Sequence, residues 1–386
     1  MKSLLISKTY FPPQVGGISY LMASLAEALG PDRVCCLTGA RAGVGKTHEN
    51  FEPRVYRRPS AFAGVNVVQS LSLTATIAEI LMRDRPQVVQ LATVFEGYMG
   101  LWLRHWLHLP FVLFAHGNEI MSVAREDWPK PRNALRQANR VLAVSRYTAS
   151  LVEQIGVSSE RIEIVHPGCD ADRFRPLPCR RDLKEKLLGG RSGGPLLLTV
   201  ANLVARKGHD MVIRALPLLQ QSVPGITYLI VGDGPNRQEL ERLVADTGVR
   251  ECVVFAGEAR GADLPDIYAL GDVFVMPNRE QKDACDVEGF GLVFLEASAC
   301  GKPVVGGRSG GVIDAVVDGR TGLLVDPTSV EAVGAAIEKL LINHELARVL
   351  GEQGRSRVVS DFSWPAVASR VQGILEAVVE EGRMHR

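Results

Sequence analysis

Short, wholly apolar runs alternate with longer amphipathic stretches along the chain, and this alternation constrains the fold more than any other feature. Residues 4–7, 111–115 and 228–231 are such apolar runs, and they do not alternate polar with apolar side chains. That pattern is typical of strands covered on both faces. The intervening segments, such as residues 18–29 and 330–341, have helical periodicity. Strand and helix repeated in this order predict an α/β protein built on parallel sheets.

The chain is longer than one hydrophobic core usually supports. With 386 residues, two domains are expected. The periodicity breaks at residues 166–178, which are rich in proline and charge, and again at the glycine-rich residues 189–195. We place the boundary in this region and give the domains as residues 1–169 and 170–364. Open parallel sheets bind ligands at the carboxyl ends of their strands, so two such domains facing each other would enclose a cleft.

Composition and charge argue against several classes of protein. A net charge of +1 argues against a nucleic-acid partner, for which a strong basic excess is expected. The seven cysteines are odd in number and form no Cys-x-x-Cys pair, so neither a disulfide framework nor a zinc site is indicated. The sequence has no run of about 18 apolar residues, and its apolar start is too short for a signal peptide. We therefore expect a cytoplasmic protein with reduced thiols.

Residues 40–47 resemble a phosphate-binding P-loop, but Ala40 replaces its first glycine. A P-loop must open a helix, because the helix N-terminus holds the phosphates. The residues that follow have no helical period and reach Pro53. We interpret this stretch as a surface loop that binds no nucleotide.

Two further patterns are incomplete. Gly232 and Gly234 begin like a dinucleotide-binding fingerprint, but Arg237 stands where the third glycine belongs. Asp170 and Asp172 resemble a metal-binding Asp-x-Asp pair, but they lie in the predicted linker rather than at the end of a strand. We predict no metal site.

The most informative stretch is residues 286–297, which follows the apolar run 273–276. Glu288 lies in a glycine-containing loop, and a helix is predicted to begin near Gly291 and to carry Glu296 in its first two turns. The N–H groups at a helix start favour anions such as a diphosphate, and carboxylates accept hydrogen bonds from sugar hydroxyls. An acidic helix start without a ligand is the alternative, since the helix macrodipole favours that as well.

Three other groups directly follow predicted strands. Arg206 and Lys207 follow the first strand of the second domain, where two cations suit a diphosphate. Gly16 and Gly17 follow the first strand of the chain and permit close approach of a ligand to the backbone. His116 follows a further strand. The alternatives are a solvated pair, an ordinary turn and a structural histidine. All of these groups are expected at strand carboxyl ends, where a shared cleft would form.

In these residues the chain resembles the family-four retaining glycosyltransferases of GT-B fold. The signature of that family is two glutamates separated by seven residues, as Glu288 and Glu296 are here. The likeness covers essentially the whole chain and is densest over residues 196–326. It implies two Rossmann-like parallel-sheet domains facing across a cleft, an N-terminal acceptor domain and a C-terminal donor domain, with a final helix at about residues 365–386 that returns to the first domain. Other stretches that follow the family pattern are residues 166–168, 231–235, 296–305, 310–311 and 318–325.

The resemblance also implies a role for each candidate residue. Lys207 would contact the donor diphosphate, Glu296 the ribose hydroxyls, and Glu288 the hydroxyls of the transferred sugar. His116 would lie beside the reacting sugar, so His116 and Glu288 are the predicted catalytic residues. The predicted backbone contacts to the donor come from Gly16, Gly17, Gly289, Phe290, Gly291, Leu292 and Val293.

One position departs from the family pattern. The family usually has an arginine five residues before its lysine, and here that position is Asn202. Asparagine can donate two N–H bonds but has no charge, and a charge-assisted bond to phosphate is roughly twice as strong as a neutral one. Arg206 is the nearest cation able to compensate, so we predict that Asn202 and Arg206 both contact the donor.

The sequence therefore predicts a retaining glycosyltransferase that moves a hexose from a nucleotide sugar to a lipid-linked or saccharide acceptor. The subfamily likeness is to bacterial mannosyltransferases that act on lipids and polysaccharides, which favours mannose from GDP-mannose. Cations and a helix start at the diphosphate make a metal unnecessary, and no cofactor is expected beyond the nucleotide-sugar co-substrate. The alternatives are a UDP-sugar donor, a nucleotide-sugar epimerase of the same architecture, a retaining glycoside hydrolase and a non-catalytic nucleotide-sugar binding protein.

Residues 101–108 mix tryptophan with basic side chains, as interfacial helices do. An ordinary crossover helix is the alternative. Because a lipid-linked acceptor would make membrane docking useful, we also expect peripheral contact with the inner face of a membrane.

Overall fold

Two parallel β-sheets organise the chain, one in each of two units. The computed structural model describes residues 1–9, 11–12, 16–39, 51–57, 67–125, 128–191, 193–259 and 261–384, without the side chains of residues 67–72. The P-loop-like residues 40–47 lie outside the described residues. The first unit is Met1–Gly168 together with Trp364–Arg386, and the second is Cys169–Ser363. The predicted α/β class is confirmed.

The sheet of the first unit has the strand order β3-β2-β1-β4-β5-β6-β7, and each pair of neighbours is parallel. Its central strands are buried along their whole length, which is why they read as continuous apolar runs. The strands are β1 (Ser3–Ser7), β2 (Val34–Thr38), β3 (Arg54–Arg57), β4 (Val88–Leu91), β5 (Phe111–Ala115), β6 (Arg140–Ala143) and β7 (Ile162–Ile164). The helices are α1 (Gly17–Leu29), α2 (Val67–Arg83), α3 (Gly97–Leu107), α4 (Asn118–Arg125), α5 (Pro129–Gln137), α6 (Arg146–Gln154) and, from the end of the chain, α15 (Trp364–Met384).

The pattern of apolar runs does not predict β3, because half of this edge strand is charged and only Tyr56 is buried. Its stability comes instead from the buried carboxylate of Asp84, which accepts hydrogen bonds from Tyr56 Oη at 2.6 Å, Lys2 Nζ at 2.8 Å and Arg54 at 2.9 Å. Burial raises the pKa of Asp84, but these donors outweigh burial and hold the pKa below its usual range. Polar contacts thus hold β3 in the sheet, where hydrophobic burial alone would not stabilise it.

The sheet of the second unit has the order β10-β9-β8-β11-β12-β13, again with parallel neighbours. A core of aliphatic side chains lies between this sheet and helices such as α8 and α13. The strands are β8 (Leu196–Val200), β9 (Thr227–Val231), β10 (Val253–Gly257), β11 (Val273–Met276), β12 (Val304–Gly307) and β13 (Leu323–Val325). The helices are α7 (Arg181–Leu188), α8 (His209–Ser222), α9 (Arg237–Asp246), α10 (Leu264–Leu270), α11 (Leu292–Ala299), α12 (Val312–Ala315), α13 (Val330–Ile342) and α14 (His344–Asp361).

In each sheet the strand order reverses once, between β1 and β4 in the first and between β8 and β11 in the second. The loops at the carboxyl ends of the two strands then run to opposite sides and leave a crevice, which is where open α/β sheets bind ligands. The loops after β8 and β11 are therefore the first place in the second unit to look for a site.

The last helix returns the chain to the first unit. Helix α15 packs on α1, and the Trp364 ring meets the Tyr20 ring edge-on at 6.0 Å. Gly168 lies so close to Trp364 that an added Cβ would be 2.6 Å from the indole. Where the chain passes between the units, Cys169 N–H donates to the carbonyl of Phe362 at 2.8 Å. This hydrogen bond joins the two chain segments that connect the units.

Candidate active site

The reversal between β8 and β11 brings two distant loops together. The loop after β8 forms a 3-10 turn, Ala205–Lys207, and the loop after β11 runs to the start of α11. Lys207 Nζ donates to Glu288 Oε2 at 2.5 Å, although 81 positions separate the two residues. Their side chains are only 10% and 13% exposed. Neighbouring parallel strands place their carboxyl ends at one sheet edge, and this explains the contact.

A second ion pair joins the same two loops. Arg206 Nη1 donates to both oxygens of Asp286, at 2.8 and 3.0 Å. Arg206 Nε lies 3.8 Å from Glu288 Oε2 and is buried without a hydrogen-bond partner in the described part of the chain. Arg206 therefore does not point into solvent, which was the alternative for this residue. It lies beside the Glu288 carboxylate that Lys207 contacts and is paired with Asp286.

The charge on Glu288 follows from these neighbours. Burial raises the pKa of Glu288, but the positive charges of Lys207 and Arg206 outweigh burial and leave the pKa below its usual range. Glu288 is therefore a carboxylate at neutral pH. Two cations and two carboxylates share a small space at the sheet edge, so an incoming anion would find cations already in position.

Glycines set the close spacing of these loops. Gly208 has φ +74°, and an added Cβ would lie 2.2 Å from the carbonyl oxygen of Pro277. Gly310 has φ +57°, and an added Cβ would lie 2.5 Å from the carbonyl oxygen of Glu288. That carbonyl also accepts a hydrogen bond from Gly311 N–H at 2.8 Å. The backbone of Glu288 is thus held from the β12 side, while its side chain is held from the β8 side.

Helix α11 begins where the sequence predicted, with Gly291 as its N-cap at φ +94°. The first N–H groups of a helix have no partner within the helix, and together with the macrodipole they favour an anion at this end. The residues predicted to cradle phosphate lie here: Gly289, Leu292 and Val293 are half-buried, and Phe290 and Gly291 are buried.

Glu296 lies on α11 in a different environment from that of Glu288. Tyr268 Oη donates to Glu296 Oε2 at 2.7 Å. Burial raises the pKa of Glu296 to about 7, with the Tyr268 hydrogen bond and the charge of Arg173 opposing the rise. Burial, together with the Glu296 carboxylate, raises the pKa of Tyr268 well above its usual range. One glutamate of the pair is thus fixed as an anion, and the other titrates near neutrality.

The first unit holds the remaining candidates at the carboxyl ends of β1 and β5. Gly16, at φ +151°, is the N-cap of α1 and accepts a hydrogen bond from Tyr20 N–H at 3.0 Å, and Gly17 is the first residue of that helix. His116 is buried, and its Nε2 lies 2.7 Å from the carbonyl oxygen of Ala92. Because a carbonyl can only accept, Nε2 carries the proton and Nδ1 is the acceptor in the neutral ring.

Asn202 is exposed at the end of β8. Its carbonyl oxygen accepts from Val204 N–H at 3.0 Å and lies 3.3 Å from His209 Nε2.

The structure brings Arg206, Lys207 and Glu288 into contact, and it holds Glu296 separately against Tyr268. The ligand roles assigned to all of these residues stay predictions.

Three residues that organise loops of the two units have no role predicted from the sequence. Asp286 lies in the most informative stretch but was not identified as the partner of Arg206, and Tyr268 carried no signal of its own. Glu96 is buried and holds two loops together: Oε1 accepts from Lys8 N–H at 2.9 Å and Oε2 from Thr93 N–H at 3.0 Å. The Thr93-x-x-Glu96 spacing of a capping box was the available signal for this residue.

Comparisons with known proteins agree with this architecture. Residues 15–173 match the family model described as Glycosyltransferase Family 4, and residues 181–357 match the model described as Glycosyl transferases group 1. A GDP-mannose-dependent alpha-(1-6)-phosphatidylinositol monomannoside mannosyltransferase of Mycolicibacterium smegmatis is 36% identical over 388 residues, which cover 96% of this chain and 98% of that protein. The chain is a family-four glycosyltransferase.

Two other comparisons, one of sequence and one of structure, also extend over nearly the whole chain. A GDP-mannose-dependent monoacylated alpha-(1-6)-phosphatidylinositol monomannoside mannosyltransferase of Corynebacterium glutamicum is 27% identical, over 97% of this chain and 98% of that protein. The crystal structure of Anabaena HepE in complex with UDP matches with a TM-score of 0.82 at 21% identity, over 98% of this chain and all of that one. At that identity the likeness shows the fold alone, and the predicted GT-B class is confirmed.

The buried Lys207–Glu288 pair predicts a measurable coupling energy. Replacing Glu288 with Met leaves the Lys207 ammonium without its main partner, and we expect a loss of about 2 kcal/mol in the stability of the second unit. The double variant Lys207→Met/Glu288→Met should lose less than the sum of the two single losses, by about 1 kcal/mol or more. Calorimetric unfolding measures this.

The exposed pair of Arg237 and Glu241 on α9, at 2.9 Å, is the matched control. Because solvent screens that pair, Glu241→Ala should change stability by less than about 0.5 kcal/mol. Strictly additive losses for Lys207 and Glu288 would contradict the coupling.

Proposed function

We propose that this glycosyltransferase transfers mannose from GDP-mannose to a lipid-linked acceptor of the phosphatidylinositol mannoside class, with retention of configuration and without a metal. The observation that carries the proposal is the likeness, over nearly the full length of both chains, to the GDP-mannose-dependent mannosyltransferases of mycobacteria. The charge distribution at the end of β8 and β11 suits it, because a diphosphate is the anion that two adjacent cations and a helix start would bind.

In this proposal the oxygens of the donor diphosphate lie beside the cations that Asp286 and Glu288 contact. Arg206 and Lys207 contact the diphosphate, and the N–H groups of residues 289–293 contact its oxygens. Glu288, held as an anion, accepts hydrogen bonds from mannose hydroxyls. Glu296 does the same for the ribose. Since these groups are placed before the donor arrives, little reorganisation is needed at the reaction step.

The chemistry proposed is a displacement on one face of the sugar. The acceptor hydroxyl oxygen forms a bond to C1 of mannose as the bond from C1 to the phosphate oxygen breaks. The hydroxyl proton passes to the departing phosphate oxygen, and GDP leaves. Positive charge from Arg206, Lys207 and the start of α11 stabilises the leaving group, so a metal ion is not needed for that purpose. His116 would position the reacting sugar.

The location follows from the acceptor. Within the described residues the helices are either too short or too polar to cross a membrane. We propose that the enzyme works on the cytoplasmic face of the membrane that holds its acceptor.

A donor panel tests the proposal. GDP-mannose, GDP-glucose, UDP-glucose and UDP-galactose are each incubated with and without phosphatidylinositol monomannoside, and nucleotide release and glycolipid product are measured. We expect release with GDP-mannose that depends on the acceptor, a product cleaved by α-mannosidase, and unchanged turnover in excess chelator.

Three of the alternatives have their own outcomes in the same assay. A UDP-sugar that outperforms GDP-mannose contradicts the donor, and a changed sugar nucleotide without acceptor indicates an epimerase. Binding without turnover indicates a non-catalytic protein. Loss of activity in chelator that Mg²⁺ or Mn²⁺ restores contradicts the metal-independent mechanism.

Arg206 should matter to the transferase reaction because its charge compensates for Asn202. We expect Arg206→Ala to cost about 1.5–3 kcal/mol of transition-state stabilisation, a fall of about 10- to 150-fold in kcat/KM for the donor. Asp286→Asn releases Arg206 from its ion pair, so this variant should bind GDP as tightly as the wild type or more tightly. Arg214 is exposed on α8, and Arg214→Ala is the control. A wild-type kcat/KM in Arg206→Ala would remove Arg206 from the site.

The two glutamates should separate in kinetics and in pH dependence. Glu288→Gln should mainly lower kcat, because it contacts the reacting sugar, whereas Glu296→Gln should mainly raise the KM for the donor. The pKa of about 7 for Glu296 predicts that the donor KM falls as pH rises from 6 to 8, since ionisation makes this carboxyl an acceptor on both oxygens. In Glu296→Gln the dependence should disappear. The reverse split between kcat and KM would mean that the roles are exchanged.

A further inference from the structure

One face of α3 and of the turn before it carries a row of exposed aromatic side chains. Phe95, Tyr98, Trp102 and Trp106 are 40%, 48%, 39% and 66% exposed. Their spacing of three, four and four residues puts the helical members on one side of α3. They are the exposed large aromatic residues of the described chain, and we call them the aromatic stripe.

The stripe is held rigidly from behind. Met99 and Leu103 on the same helix are buried, and Gly100 lies so close to β4 that an added Cβ would be 2.7 Å from the Leu91 side chain. At Gly97 an added Cβ would be 2.4 Å from Cβ of Ala134 on α5. Residues 101–107 therefore lie in a crossover helix, with His108 as its C-cap. A crossover helix was the alternative for residues 101–108, and this one also presents the stripe outward.

Tryptophan is concentrated at this surface. The chain has four tryptophans, and Trp364 alone lies elsewhere, buried between α15 and its neighbours. The Trp128 ring lies 5.6 Å from the Phe95 ring and so joins the stripe to the start of α5. Tryptophan and tyrosine combine an apolar body with a polar N–H or O–H, which is why they are enriched where hydrocarbon meets water at membrane surfaces.

The charge of the surrounding helices has one sign. Helices α3 and α5 contain three arginines, one lysine and one histidine but no aspartate or glutamate. Of these, Arg104, His105, Lys130 and Arg136 are exposed, and the His105 ring packs edge-on against Trp106 at 4.9 Å. Glu96, just before α3, is buried, while Glu126 and Asp127, before α5, lie outside the described residues. A negatively charged partner is complementary to this surface, whereas a second copy of the same surface would bring like charges together.

We propose that the aromatic stripe, with the basic side chains of α3 and α5, binds the interface of an anionic lipid bilayer. The aromatic rings enter the headgroup boundary, and the arginine and lysine side chains meet the lipid phosphates. This deepens the proposed function, on which it rests for its biological sense, because a lipid-linked acceptor would be met at such a surface. The binding itself requires neither donor nor acceptor, so it can be measured apart from catalysis.

Flotation of the full-length protein with vesicles tests the proposal. Vesicles of pure phosphatidylcholine are compared with vesicles containing 30% phosphatidylglycerol, a composition chosen to supply negative charge without any glycosyl acceptor. We expect binding to the anionic vesicles that weakens as salt increases, since salt screens the charges. We also expect quenching of tryptophan fluorescence by brominated lipid, because three of the four indoles lie at the proposed surface.

Variants then locate the surface. Trp102→Ala/Trp106→Ala should lower partitioning to anionic vesicles at least about tenfold, from the loss of buried apolar area. Lys130→Gln should lower it about fivefold, the effect of one basic charge near a membrane. The control is Leu218→Ala, which removes an exposed side chain from α8 in the other unit and should bind like the wild type.

Three outcomes would overturn the inference. They are equal binding to neutral and anionic vesicles, wild-type binding by the double tryptophan variant, and a dimer that the double variant dissociates, which would show that a second copy covers the stripe. Transfer to a deacylated, water-soluble acceptor separates this inference from the proposed function. If the protein transfers mannose to this acceptor but does not bind anionic vesicles, the proposed membrane surface is wrong and the proposed function is not affected. If the protein binds anionic vesicles but transfers no mannose, the proposed function is wrong and the membrane surface is not affected.

Discussion

The reversal of strand order between β8 and β11 is the constraint on which the site depends. The connections that follow β8 and β11 run to opposite sides of the sheet. This leaves a crevice at the carboxyl ends of the two strands, where polar residues can lie. Lys207 and Glu288 meet there at 2.5 Å from loops 81 positions apart. The loops after two adjacent parallel strands are always separated by at least one crossover, and here the separation is larger because β9 and β10 lie between β8 and β11 along the chain. The chemistry of this protein is therefore assembled by topology rather than by a local motif.

Charge balance stabilises that assembly. Two cations gathered at one edge would repel each other, and Asp286 and Glu288 offset that repulsion by direct pairing. The same carboxylates prevent the cations from turning into solvent, so the charges stay aimed at one place. An anion that entered would compete with Asp286 for Arg206, and the strength of this internal pair therefore limits how tightly a diphosphate can bind. Preorganised charge is gained at some expense of affinity.

Much of this could be predicted from the sequence, and the failures have physical causes. The buried strands β1, β4 and β5 can be predicted from their apolar runs, because they are covered on both faces. Edge strand β3 has no such run, since its stability comes from polar contacts to Asp84. The start of α11 at Gly291 could be predicted from its glycine. The partner of Arg206 could not, because an ion pair between residues 206 and 286 depends on strand order. Glu96 could have been found from its capping box.

The two signature glutamates show why spacing alone does not define chemistry. Glu288 and Glu296 are eight positions apart and belong to one motif, yet one sits in a loop beside two cations and the other on a helix beside a tyrosine hydroxyl. Neither is exposed, and desolvation alone would raise the pKa of each. Nearby positive charge reverses the effect for Glu288 and only moderates it for Glu296. The motif supplies two carboxyl groups, and the fold lowers the pKa of one and raises the pKa of the other.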